Sequence, residues 1–169
     1  MKRMIKNGFT LIELLVVISV IGILVSLAFV SFTQSQKQAR DVQRKSDLAQ
    51  YRTALEAFAN ANNGLFPYYD AVAVGARPMD EVCNAALTHY AASCPQDPKY
   101  SASRRYGYRS NGSGSLGDPT ATKYLIYINA GLEVNTLGAP NGTTWVVCYN
   151  GNTGAVGNTW ADINVFCPI

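Results

Sequence analysis

Charge is absent from Leu14 to Gln36, and from Leu14 to Phe32 the chain is Leu, Ile, Val, Ala and Phe almost without interruption. At ~1.5 Å per helical residue this run matches a hydrocarbon core of ~30 Å, which predicts a helix able to span a bilayer. From Thr33 the pattern changes from apolar all round to amphipathic. Val42, Leu48, Tyr51, Leu55 and Phe58 recur at spacings of three, four or their sums, while Lys37, Arg40, Asp41, Arg44, Lys45 and Asp47 fill other faces. No stop signal precedes Asn62-Asn63-Gly64 and no proline precedes Pro67. One continuous helix of roughly 50 residues is therefore expected. The charges between Arg40 and Asp47 read as a solvated helix face, with Asp41 and Lys45 ordered for an i,i+4 pair that contributes ~0.2–0.5 kcal/mol.

Beyond Gly64 the chain becomes rich in loops and tyrosine. Met79 to Ala92 predicts a short second helix with Val82, Ala86 and Tyr90 on one face. Cys94-Pro95-Gln96-Asp97-Pro98 reads as a turn, because its prolines forbid continued helix. Arg105 to Arg109, Tyr124 to Asn129 and Thr144 to Tyr149 have the Tyr, Ile, Val and Trp content of strands, although their alternation is incomplete. The glycine-rich stretches Ser110 to Asp118 and Gly138 to Gly142 would connect them. The expected class is α+β, a long amino-terminal helix packed on a small antiparallel sheet.

Before the apolar run stand Lys2, Arg3 and Lys6, which predict that the short amino-terminal stub stays cytoplasmic and the bulk of the chain is exported. Glu13 is then anomalous, since a carboxylate within a membrane helix costs roughly 2.5–3.5 kcal/mol at the centre and less near an end. An ordinary cleaved secretory signal fits poorly. The small residue Gly8 precedes the apolar run, and no Ala-x-Ala-like site follows it.

The octet Gly8-Phe9-Thr10-Leu11-Ile12-Glu13-Leu14-Leu15 resembles the class III signal of type IV pilins and pseudopilins. The resemblance implies that a prepilin peptidase cuts between Gly8 and Phe9, methylates the amino group of Phe9, and leaves the apolar helix in the product. It also implies a role for Glu13, which in assembled filaments of this family neutralises the amino terminus of a neighbouring subunit. Asn63-Gly64-Leu65-Phe66-Pro67 and the Pro95 to Pro98 turn are similar to pilin and major-pseudopilin sequences as well. The implied division is a leader at 1–8, a transmembrane or filament-core half-helix at 9–32, an amphipathic half at 33–63, and a globular region at 64–169. Many pilins carry a helix-breaking proline in the apolar half. This chain has none between Phe9 and Phe66. Ser19, Gly22 and Ser26 form a stripe of small residues that would let helices approach closely.

The 169 residues suffice for one anchor helix and one domain of ordinary size. Loss of Lys2, Arg3 and Lys6 with the leader would leave 11 of the 14 basic residues against 11 acidic ones, so the mature chain is formally neutral. That weakens any reading as a globally basic nucleic-acid binder. The cysteines are four, Cys83, Cys94, Cys148 and Cys167, all in the part that would be exported, and an even count there favours disulfides. Locality suggests Cys83–Cys94 and Cys148–Cys167, the second closing a carboxy-terminal loop like that of many pilins. Zinc is disfavoured by the lack of Cys-x-x-Cys spacing and by a lone histidine, His89, expected on a helix surface.

No acid–base constellation, nucleophile elbow or phosphate loop is evident, and Asp97, Asp118, Glu133 and Asp162 are scattered in sequence. No enzymatic activity, cofactor or metal is expected. Asn111-Gly112-Ser113 and Asn141-Gly142-Thr143 match glycosylation sequons but read first as turns. Two functions compete. The first, implied by the resemblance, is a structural subunit held in the cytoplasmic (inner) membrane with its globular part outside, then polymerised into a helical filament. Its partners would be other copies of itself, prepilin peptidase, an assembly ATPase and membrane platform proteins. The second is a minor pilin or pseudopilin acting as a binding module for DNA uptake, adhesion or type II secretion. Arg104, Arg105 and Arg109, interleaved with Tyr106 and Tyr108, are the candidate DNA contacts.

Overall fold

The computed structural model describes residues 9–69, 77–101, 104–129, 132–134, 144–149 and 153–156. The apolar run and its amphipathic continuation form α1, Leu11–Ala61, of 51 residues. It stops where Asn62-Asn63-Gly64 predicted. Asn63 and Gly64 adopt φ of 56° and 82°, and the N–H groups of Asn62 and Gly64 both donate to the Ala59 carbonyl, at 3.0 and 2.8 Å. A left-handed turn of this kind satisfies carbonyls that the last helical turn leaves open.

The chain divides into two compact units, Met1–Lys37 and Gln38–Ile169. In the first, every large apolar side chain described on α1, from Leu11 to Val25 and again at Phe32, is exposed. In the second, the remainder of α1 packs on a sheet and a short helix. Their elements are β1 (Phe66–Pro67), β2 (Arg77–Pro78), α2 (Met79–Ala86), β3 (Tyr106–Ser110), β4 (Pro119–Ala121), β5 (Tyr124–Ile128), β6 (Thr144–Cys148) and β7 (Thr153–Val156). The main sheet is antiparallel throughout in the order β2-β3-β5-β6-β7, while β1 pairs with β4. The expected strands are β3, β5 and β6, each within one residue. The others are two to four residues long, too short for a periodicity to show. The second helix ends at Ala86 rather than Ala92. Helix continued to Ala92 would move ~14 Å from Cys83, and two residues could not then return Cys94 to its Cα–Cα distance of 5.7 Å.

Leu48, Tyr51, Leu55 and Phe58 of α1 pack with Met79, Val82 and Leu87 against Tyr106, Tyr108, Tyr124, Ile126 and Ile128 of the sheet. The opposite sheet face is buried too, at Leu125, Tyr127, Val146 and Cys148. Burial on both faces explains the missing alternation in β5. Gly107 faces Tyr127 across β3 and β5, and a Cβ there would lie 2.5 Å from the Tyr127 Cζ, so the ring occupies the space a side chain would need.

Towards its amino end, the seam on α1 departs from expectation. Val42 is exposed, whereas Asp41 and Arg44 are buried and continue the spacing of Leu48, Tyr51, Leu55 and Phe58. The charges between Arg40 and Asp47 are therefore not a solvated face. Arg44, fully buried, donates from Nε and Nη2 to Asp97 at 2.7 and 3.0 Å, from Nη1 to Asp41 at 2.8 Å, and from Nη2 to Glu133 at 3.0 Å. Glu133 also accepts from Arg40 Nη2 at 2.6 Å and Lys99 Nζ at 2.9 Å. The Asp41 carboxylate takes the backbone N–H groups of Glu133 and Val134 at 2.9 and 2.7 Å. Asp41 thus has no need of Lys45, whose Nζ sits 4.1 Å from the Trp145 ring centroid.

Opposed charges and full hydrogen bonding are what make such burial tolerable. The Arg40 guanidinium, followed by Lys99 and Arg44, holds the Glu133 carboxyl well below its ordinary value of 4.5 against the opposing effect of burial. Burial pushes the Asp47 carboxyl upward, although the Tyr106 hydroxyl donates to it at 2.6 Å.

Removing Arg44 would leave Asp41, Asp97 and Glu133 without their shared cation. Arg44→Ala is expected to destabilise the domain by about 3–5 kcal/mol in urea unfolding of the full-length chain in detergent, followed by tryptophan fluorescence. The folded Glu133 value lies below the unfolded one, so its contribution is complete above pH 4.5 and is lost as pH falls from there through the folded value. Glu133→Gln should lower stability at pH 7 and flatten the loss of stability below pH 4.5 in the same titration.

Candidate functional site: the amino-terminal helix

Phe9, Thr10 and Glu13 open α1, and Gly8 lies outside the described residues. Thr10 is the N-cap: its carbonyl accepts the first helical bond, from the Leu14 N–H at 3.3 Å. The Glu13 N–H donates to Thr10 Oγ1 at 3.3 Å, and the Thr10 N–H donates back to Glu13 Oε2 at 2.8 Å. The Thr10 hydroxyl donates to the same carboxylate oxygen. This is a reciprocal capping box, which satisfies donors that a helix start otherwise leaves open and places negative charge at the positive end of the helix dipole. Sequence reasoning gave Glu13 an intermolecular role and missed this local one, although Thr-x-x-Glu ahead of an apolar run is its signature.

Glu13 shares a shallow surface depression with Phe9, Ile12, Val16 and Val17. Phe9 is 82 % and Ile12 72 % exposed, so a single carboxylate stands on an otherwise apolar, uncovered surface. Ser19 and Ser26 donate to the carbonyls of Val16 and Ile23, each at 2.7 Å, which pairs both hydroxyls within the helix. Nothing lies within 4 Å of the Cβ position of Gly22. A helix whose polar groups are internally paired can enter an apolar medium without stranding a donor. Among the described residues α1 is the one helix long and apolar enough to cross a membrane.

The other candidate residues belong to the second unit, Gln38–Ile169. Arg105 and Arg109 share the face of β3 turned away from α1, while Arg104 bridges to Ser101 ahead of the strand; all are half-buried. β3 is an interior strand rather than an edge, between β2 and β5. Tyr106 and Tyr108 point towards the core and are buried, so neither presents a ring on which a base could stack. Cys83 and Cys94 form a disulfide. Cys148 is disulfide-bonded as well, and Cys167 lies outside the described residues. His89 is exposed in the turn after α2 rather than on a helix.

Asp97 and Glu133, scattered in sequence, are brought together with Asp41 around Arg44, which fills the space between their carboxylates. Among the described residues no group of three or more His, Cys, Asp or Glu is placed to hold a metal ion. Asn111 serves a turn: its Oδ1 accepts from the N–H groups of Thr122 and Lys123 at 3.0 and 2.8 Å, and its Nδ2 donates to Thr122 Oγ1 at 3.0 Å. Asn141 lies outside the described residues.

Residues 3–29 match the family described as the prokaryotic N-terminal methylation motif. The chain is also 39 % identical, over 53 residues, to the type IV major pilin protein PilA of Myxococcus xanthus (strain DK1622). That stretch is 31 % of this chain and 24 % of the relative, so the match spans about a quarter of the curated relative's length. No solved structure matches the chain. The capped start of α1 and its lone carboxylate thus lie within a prokaryotic N-terminal methylation motif, a prepilin signal, at residues 3–29.

Proposed function

We propose that this chain is the structural subunit of a type IV pilus-like filament, made as a prepilin in the cytoplasmic membrane. The observation that carries the reading is the methylation motif at residues 3–29, set on the apolar first part of α1, where the described large apolar side chains from Leu11 to Val25 are exposed. Prepilin peptidase cuts between Gly8 and Phe9 and methylates Phe9. Cleavage removes Lys2, Arg3 and Lys6, and places a new positive amino terminus near the exposed apolar surface of the helix. An assembly ATPase and membrane platform proteins then move the subunit from the bilayer into the polymer.

In a bundle of such helices the apolar surfaces cover one another. Head-to-tail contacts that do not close generate an open filament. Glu13 sets the register by pairing with the amino terminus of a neighbouring copy. At 4 Å two unit charges attract by about 1 kcal/mol in water and about 4 kcal/mol at an effective dielectric of 20, so the pair matters most once water is excluded. A neighbour offset by a turn would leave both charges unpaired among apolar side chains.

Mass spectrometry of the chain from a host that carries the peptidase is expected to show an amino terminus at Phe9 bearing one methyl group. A terminus at Met1 from such a host would remove the proposal. Glu13→Ala expressed alone is expected to insert in the membrane normally and to be strongly depleted from sheared filaments. Unchanged filament yield would rule out the register role.

A further inference from the structure

The chain between α2 and β3 lies along α1 as a strap, residues 93–99, fastened by side chains rather than by a ladder. Cys94 is bonded to Cys83 of α2. The Tyr51 hydroxyl donates to the Pro95 carbonyl. Gln96 donates to Asp80 at 2.7 Å. Asp97 then takes two bonds from Arg44, about two turns before Tyr51 on α1, and Lys99 reaches Glu133 at 2.9 Å. Pro95 and Pro98 lack N–H groups and have fixed φ, so the strap is preset in shape but has few backbone bonds of its own. It is covalent at one end and ionic at the other.

We infer that the Cys83–Cys94 bridge is a redox latch for the Arg44 cluster. With the bridge formed, the strap lies on α1 and delivers Asp97 to Arg44. With both thiols reduced, the strap lifts, Arg44 turns to water, and Asp41 releases the backbone of residues 133 and 134. Closing the latch forms one S–S bond from two thiols, whose two electrons and two protons pass to a disulfide oxidant that becomes a dithiol. A dithiol reductant reverses the step.

Two physical reasons couple the ends. The bridge spans a separation of only 11 residues, and holding Cys94 in place keeps Asp97, three residues on, near Arg44. A buried guanidinium is stable only with its partners complete, so losing Asp97 opens the cluster as a unit. The latch would make closure of this seam conditional on an oxidising compartment.

The test is backbone hydrogen exchange on the full-length chain in detergent micelles, comparing the parent with a Cys83→Ser/Cys94→Ser variant, which leaves Cys148 untouched. The N–H groups of Glu133 and Val134 report Asp41, and those paired between β3 and β5 report the core. The expected result is exchange about tenfold or more faster at Glu133 and Val134 with the β3–β5 ladder still protected. Asp97→Asn with the bridge intact should open the same two amides, and adding it to the double-serine variant should add little. Unchanged protection at Glu133 and Val134, loss of protection throughout the ladder, or fully additive effects of the two changes would each overturn the latch.

Discussion

The guanidinium of Arg44 is held by carboxylates from three separate stretches of chain: Asp41 on its own helix, Asp97 in the strap, and Glu133 in the loop after β5. Arg40 and Lys99 complete the charge balance on Glu133. Each carboxylate also organises what surrounds it. Asp41 gathers the N–H groups of residues 133 and 134, and Asp97 takes the Lys99 N–H at 2.7 Å. One fully buried cation therefore determines how two otherwise irregular segments dock on α1.

Such a centre behaves differently from the apolar seam that follows it at Leu48, Tyr51, Leu55 and Phe58. Apolar contacts tolerate small shifts, because their attraction is non-directional. A buried guanidinium tolerates few, because each donor needs an acceptor at a defined angle and an unpaired charge is costly. The apolar seam supplies most of the driving force for docking the sheet and α2. Arg44 selects which docking is accepted. An α1 that is apolar all round up to Phe32 and amphipathic afterwards has many ways to bury itself, and a directional contact at the start of the domain excludes most of them.

The helix, its carboxy-terminal stop and the three long strands were legible from periodicity and turn chemistry. So were the amino-terminal signal and the bridge between Cys83 and Cys94. Arg40 to Asp47 differ from the solvated face expected of them, because helical spacing assigns a buried face only when apolar residues mark it. Here Asp41 and Arg44 occupy seam positions, and Val42, the apolar residue nearby, faces outward. The partners that make this burial tolerable lie 53 and 89 residues downstream of Arg44. No local pattern carries that information. Tyr106 and Tyr108 show the reverse: interleaved with arginines they have the sequence pattern of a stacking surface, but strand alternation turns both rings into the core.

What the sequence by itself determined is the amino-terminal part: an uninterrupted apolar helix, its Thr-x-x-Glu start and its methylation motif, all fixed by residues within a few positions of one another. Capping and helical periodicity are local interactions, and local interactions can be read locally. Only the tertiary structure decided that Asp41, Asp97 and Glu133 share one cation, and that a disulfide-tethered strap brings Asp97 to it. Those contacts join residues far apart in the chain, and the solvent exclusion that gives them their strength exists only once the sheet, the strap and α1 have come together.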